Sequence, residues 1–198
     1  MREPYYGWAQ DAVETLDWLV CLDGYAFAGD RSRLCGRDPR VIDVAHVRWA
    51  LASAVTALDL CAVELAYRYG DFEFWSEHAP TLEQVHSNLR GDDPKVAARV
   101  EKWFADVIAD PDYGTVRSAR NPLTHRLIVR SAIISIRPPR DHEDRSRFAV
   151  DPDGPASERP DARELIVMAR DLAARHVASF GRLFGARSTP SPPRPEDR

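Results

Sequence analysis

The sequence predicts an all-α protein, a four- to five-helix bundle with a small β-hairpin inserted before the last helix. Three observations predict it. Long segments carry apolar residues at helical spacing, 44% of the chain is apolar, and Asp-Pro or Asn-Pro pairs recur where helices should start. A chain of 198 residues is enough for one domain with its own core and cramped for two. The reading is a single domain over 1–185, with a loop or hairpin insertion at 137–160 and a disordered tail at 186–198.

The first helix is expected from Gly7 to Leu22. Trp8, Ala12, Leu16, Leu19 and Val20 form its stripe, and Asp23-Gly24 ends it. Residues 23–40 read as a loop rich in Gly, Asp and Arg. The second helix, Val41–Tyr69, is apolar over more than one face between Trp49 and Ala66. That pattern places it centrally, packed from both sides. Asp59 and Glu64 interrupt its apolar stretch. Unpaired carboxylates are rarely buried, so a narrow wet strip is expected for both. The alternative is that one of them orients a basic residue and supports a site. Residues 71–93 are irregular, with Phe72, Phe74 and Trp75 over a core edge and a short helix from Leu82 to Leu89. The next long helix starts at Asp93-Pro94 and ends at Asp110-Pro111, with Val96, Ala97, Val100, Trp103, Phe104, Val107 and Ile108 as its apolar stripe. Asn121-Pro122 repeats the start signal, for a helix to about Arg130. Ile133–Ile136 either continues that helix or forms a strand paired with Arg147–Val150. The last helix runs from Asp161 to about Phe184, with Leu165, Met168, Ala169, Leu172, His176, Ser179, Phe180 and Leu183 on one stripe. The tail beyond it holds four prolines and is disordered by composition.

Composition narrows the function. The formal charge of −4 argues against a generic basic nucleic-acid coat but leaves room for a local basic site. Residues 117–130 supply one: Arg117, Arg120, Arg126, Arg130 and His125, with no acidic residue among them. No apolar run approaches the roughly 18 residues that cross a bilayer, and there is no signal-peptide core, so no membrane is expected and a cytoplasmic location is. Cys21, Cys35 and Cys61 lack metal-ligand spacing and read as free or buried thiols. No HExxH, GxSxG, P-loop or GxGxxG is present, so neither metal nor cofactor is expected. Among the histidines, His78, His86 and His142 read as solvated. His46 lies on a helix, and His176 reads as a satisfied core residue.

The run Arg120-Asn121-Pro122-Leu123-Thr124-His125 is the most informative. If Asn121 caps a helix, free N–H groups and the helix dipole make an anion site. Arginine is then a fixed electrostatic clamp, and histidine can give or take a proton. With a phosphate between them, that pair suffices to cut RNA without a metal. Arg120-Asn121 followed by His125 after four residues, in a helical chain of this size, resembles the HEPN superfamily. The resemblance implies a metal-independent endoribonuclease, a toxin–antitoxin or phage-defence setting, and a homodimer with the motif at the interface. An RNA substrate and an antitoxin protein are the implied partners. It assigns Arg120, Asn121 and His125 to catalysis. Arg117, Thr124 and Arg126 are expected to bind substrate. Two other readings stay open: a non-catalytic dimeric module binding a nucleotide, RNA or a protein partner, and a metal-dependent hydrolase using Asp59, Glu64 and a helix histidine.

Overall fold

The computed structural model describes residues 4–28, 39–69, 80–89, 93–125, 160 and 162–185. The described residues form six helices and no strand. These are α1 (Pro4–Ala28), α2 (Pro39–Tyr69), α3 (Leu82–Asn88), α4 (Pro94–Ile108), α5 (Pro111–His125) and α6 (Ala162–Phe184). The all-α bundle predicted from periodicity is what forms. The hairpin and insertion at 137–160, the tail at 186–198, and Phe72, Phe74 and Trp75 lie outside the described residues.

Helix α2 is the hub. It packs against α1, α6, α5 and α3, while α6 also meets α1, α4 and α5. Its small residues explain the role. Ala50, Ala54, Ala57, Ala62 and Ala66 are fully buried, and short side chains let neighbouring backbones approach closely. Leu51, Leu58 and Leu65 fill the space between them. By length and composition Ala45–Tyr69 could cross a membrane, contrary to expectation, yet 61% of its most apolar window is buried inside the bundle.

The aromatic centre joins three helices. Trp103 of α4 packs edge-on against Phe180 of α6 at 5.4 Å, and Phe180 stacks on Tyr6 of α1 at 5.4 Å. Trp103 is fully buried, and its indole Nε1 donates to the carbonyl of His176 at 3.1 Å. That bond removes the cost of burying the ring's one polar atom.

Helix boundaries follow local chemistry. Thr81 and Gln84 form a capping box that starts α3, and Asp93 caps α4 with Pro94 behind it. Gly185 ends α6 at φ 66°, donating its N–H to the carbonyl of Gly181 at 3.0 Å. Only glycine takes that left-handed turn without strain. Two boundaries differ from expectation. Helix α1 runs through Asp23-Gly24 to Ala28, because one internal glycine costs only about 1 kcal/mol. Helix α5 begins eleven residues earlier than Asn121-Pro122 suggested.

The wet strip expected on α2 is also overturned. Glu64 is 1% exposed and pairs with Arg68 Nε at 2.8 Å. Arg68 in turn donates to the Phe184 carbonyl at 3.2 Å, tying the end of α2 to the end of α6. The carboxylate is buried because its partner sits one turn along the same helix. His86 is likewise not simply solvated. It stacks on Phe104 at 4.8 Å, with Nε2 3.2 Å from Glu101.

Candidate functional site

Helix α5 carries the motif, and its start is firmly held. Asp110-Pro111 is a cap followed by proline, the same signal that starts α4. One Asp110 oxygen accepts the Asp112 N–H at 3.0 Å. The other accepts from His176 Nε2 at 2.8 Å and from Arg175 at 2.8 and 3.1 Å. A carboxylate can only accept, so Nε2 of His176 carries the proton. Burial alone would raise the Asp110 pKa. The bonds from His176, Arg175 and the Asp112 amide outweigh it and hold the carboxyl below its usual value. His176 is therefore a satisfied core histidine, as its apolar stripe implied.

Further along α5, Tyr113, Arg117 and Arg120 recur at i, i+4 and i+7, and so share one face. Helix α5 packs against α2. The Tyr113 hydroxyl donates to Glu83 Oε1. Arg117 Nη1 lies 2.8 Å from the same oxygen. Burial pushes Glu83 up, but the tyrosine, the α3 backbone and Arg117 together bring it below its usual range. Burial raises the Tyr113 phenol, and Glu83 reinforces the shift.

Asp59 of α2 faces the same group and behaves differently. Its Oδ1 accepts the Leu82 N–H at 2.7 Å. Burial nevertheless raises its pKa from 3.8 to about 6, and the negative charge of Glu83 adds to the rise. The Leu82 bond, Arg120 and Arg117 oppose it without prevailing. Arg120 is the second unbalanced member. Its Nε is buried and meets no acceptor among the described residues. A buried donor left unbonded costs about 1–3 kcal/mol. The site thus holds a guanidinium whose Nε has no acceptor among the described residues and a carboxyl whose pKa burial raises to about 6.

The geometry corrects the helix-cap reading. Residues 111–125 are one continuous helix, so Asn121 is not an N-cap and its neighbours are not free helix-terminal donors. Pro122 sits inside the helix, where its missing N–H leaves the Ser118 carbonyl without its usual donor. In a continuous helix, positions 120 and 125 are roughly 140° apart around the axis. Position 124 lies close to the direction of 120, and 121 lies between 120 and 125. At 121–125 only the helical backbone is described, and Arg126 lies outside the described residues.

The structure brings together Arg117 and Arg120 among the predicted site residues. It adds Asp59, Glu83 and Tyr113. Asp59 was visible as a charge in an apolar run, and Tyr113 and Arg117 had helical spacing once Asp110-Pro111 was taken as a start. Nothing in the sequence pointed to Glu83, because its partners lie thirty or more residues away. Among the described residues no three His, Cys, Asp or Glu side chains converge as a metal site. Cys61 is buried and Cys21 exposed, both as free thiols. Comparison with protein-family models, curated proteins and solved structures gave no match.

Proposed function

We propose that the chain is a metal-independent endoribonuclease of HEPN type, acting in a toxin–antitoxin or phage-defence setting. The observation that carries this reading is Arg120: a buried guanidinium donor without an acceptor among the described residues, beside a carboxyl whose pKa burial raises to about 6. A phosphate oxygen supplies the missing acceptor and the balancing charge. Arg120 then stabilises the charge that builds on phosphorus as the ribose 2′-oxygen attacks. One histidine takes the 2′-OH proton. The P–O5′ bond breaks, and a second proton donor protonates the departing 5′-oxygen. The products are a 2′,3′-cyclic phosphate and a 5′-OH. Asn121 orients the motif, and Arg117 and Thr124 contact the substrate backbone, with Arg126 beyond them.

The separation of positions 120 and 125 around α5 bears on the details. His125 works with an Arg120 from another chain more readily than with its own, which makes the active form a homodimer. The same separation favours a second reading, a dimeric module that binds RNA, a nucleotide or a protein without turnover. Purified protein should cleave RNA in EDTA, and Arg120→Ala and His125→Ala should each lower the rate by about 100-fold or more. Cleavage unaffected by both changes sinks the proposal. Saturable RNA binding with no product selects the second reading.

A further inference from the structure

Helix α5 presents three donors on one face, and they are not equally engaged. Tyr113 and Arg117 both donate to Oε1 of Glu83, Arg117 through Nη1 at 2.8 Å. Arg120 lies one turn further along the same face, and its buried Nε meets no acceptor among the described residues. Residues three apart are neighbours on a helix, so a phosphate on this face would bridge Arg117 and Arg120. It would then share the Arg117 fork with a carboxylate. Two anions on one guanidinium repel each other. The Glu83 carboxyl is held below its usual range, so it is charged whenever the phosphate is.

We infer that Glu83 is a built-in competitor for the phosphate site: its carboxylate occupies Arg117 in the free protein, and a phosphodiester binds by displacing it. The inference rests on the reading of Arg117 and Arg120 as a phosphate clamp. It adds that the chain itself closes that clamp until a ligand arrives.

The surroundings single out Glu83 as the group that yields. Asp59, the other carboxylate near Arg120, is fixed by the Leu82 N–H, which donates to its Oδ1 at 2.7 Å. Glu83 stands at the edge of the cluster, with 30% of its side chain exposed, and Arg117 beside it is 48% exposed. Its carboxylate can turn outward and be hydrated there. Helix α3 stays where it is. Leu82 and Val85 are fully buried, and Leu82 keeps its bond to Asp59. The exchange is a side-chain rotation rather than the opening of a lid.

The exchange favours only a ligand that reaches Arg120. A phosphate at Arg117 alone replaces one anion with another. A phosphate that also accepts from the Arg120 Nε satisfies a buried donor that Glu83 leaves unbonded. Glu83 thus screens the site against anions that touch Arg117 only.

The test is titration of the full chain with inorganic phosphate at constant ionic strength, followed by NMR of the guanidinium and carboxyl signals. Phosphate should shift the Arg117, Arg120 and Glu83 side-chain signals of the wild type together. Glu83→Gln should bind phosphate about tenfold more tightly. In an Arg117→Ala background that gain should fall to about twofold or less, because no shared fork is left to compete for. A gain of full size in that background overturns the inference, since Glu83 then repels from a distance. Equal or weaker binding by folded Glu83→Gln does so too. If that variant does not fold, the wild type decides: a Glu83 signal that stays in place while phosphate saturates Arg120 overturns the inference. Phosphate that binds neither protein removes the clamp and the inference with it. Displacement of Glu83 in a protein that does not cut RNA supports the inference and sinks the catalytic reading alone.

Discussion

The two ends of α5 are built on opposite principles. At its start, Asp110 accepts from an amide, an imidazole and a guanidinium, and its carboxyl is held below the ordinary range. Nearly three turns on, at Arg120, Asp59 of α2 is buried with one backbone donor, its pKa rises to about 6, and Arg120 keeps a buried donor that meets no acceptor among the described residues. One carboxylate is satisfied at the expense of freedom. The other is left unbalanced beside a cation. A rigid corner followed by an under-satisfied cluster is the contrast on which the proposed site rests.

Breaking the satisfied end should have the largest effect on stability. Asp110→Ala removes the α5 cap and orphans the His176 donor, so urea unfolding should show a loss of about 2–4 kcal/mol at pH 7. The pH sense follows from the lowered pKa. The Asp110 contribution is present above the usual value of 3.8 and fades as pH falls through the lower folded value. The deficit of the variant should therefore shrink toward acid pH.

Relieving the unbalanced end should act in the opposite direction. Asp59→Asn keeps an acceptor for the Leu82 N–H and removes the buried charge, so the variant should be roughly 1–3 kcal/mol more stable at pH 8. The folded pKa of Asp59 is raised, so wild-type stability falls as pH rises from about 4 to about 6. The difference between the two proteins should close below that window. If Asp59→Asn destabilises at pH 8, the contrast between the ends of α5 is wrong. A gain in stability together with weaker RNA binding or cleavage sharpens it, because it shows stability given up for the site.

The smallest effect should come from Tyr113→Phe, which lies between the two ends. Loss of the hydroxyl bond to Glu83 should cost about 1 kcal/mol. The Glu83 carboxyl, measured by NMR titration, should move up toward its ordinary 4.5. An unmoved Glu83 would mean that the α3 backbone and Arg117 hold its carboxyl down without the tyrosine.

How far the site was legible depended on sequence distance. The Asp-Pro pairs at 93 and 110 are local signals, and both start helices. The Asn-Pro pair at 121 is the same signal and lies inside one, because the helix was already propagating from Pro111 and packed on α2 and α6. Proline opposes that by about 3 kcal/mol or more, and only tertiary packing supplies enough to override it. Glu64 read as solvated because burial of a charge needs a partner, and that partner, Arg68, gains its bond to Phe184 only when α2 and α6 meet.

The sequence by itself determined the all-α class, the long helices of the bundle, the core positions of Trp103 and Phe180, and the basic run at 117–126. Each follows from periodicity or capping chemistry within a few turns of chain. Tertiary structure decided that α5 is continuous through Asn121-Pro122 and that Glu83 and Asp59 meet Tyr113, Arg117 and Arg120. Those outcomes depend on desolvation and on charges brought together from distant segments, and neither quantity exists until the helices pack.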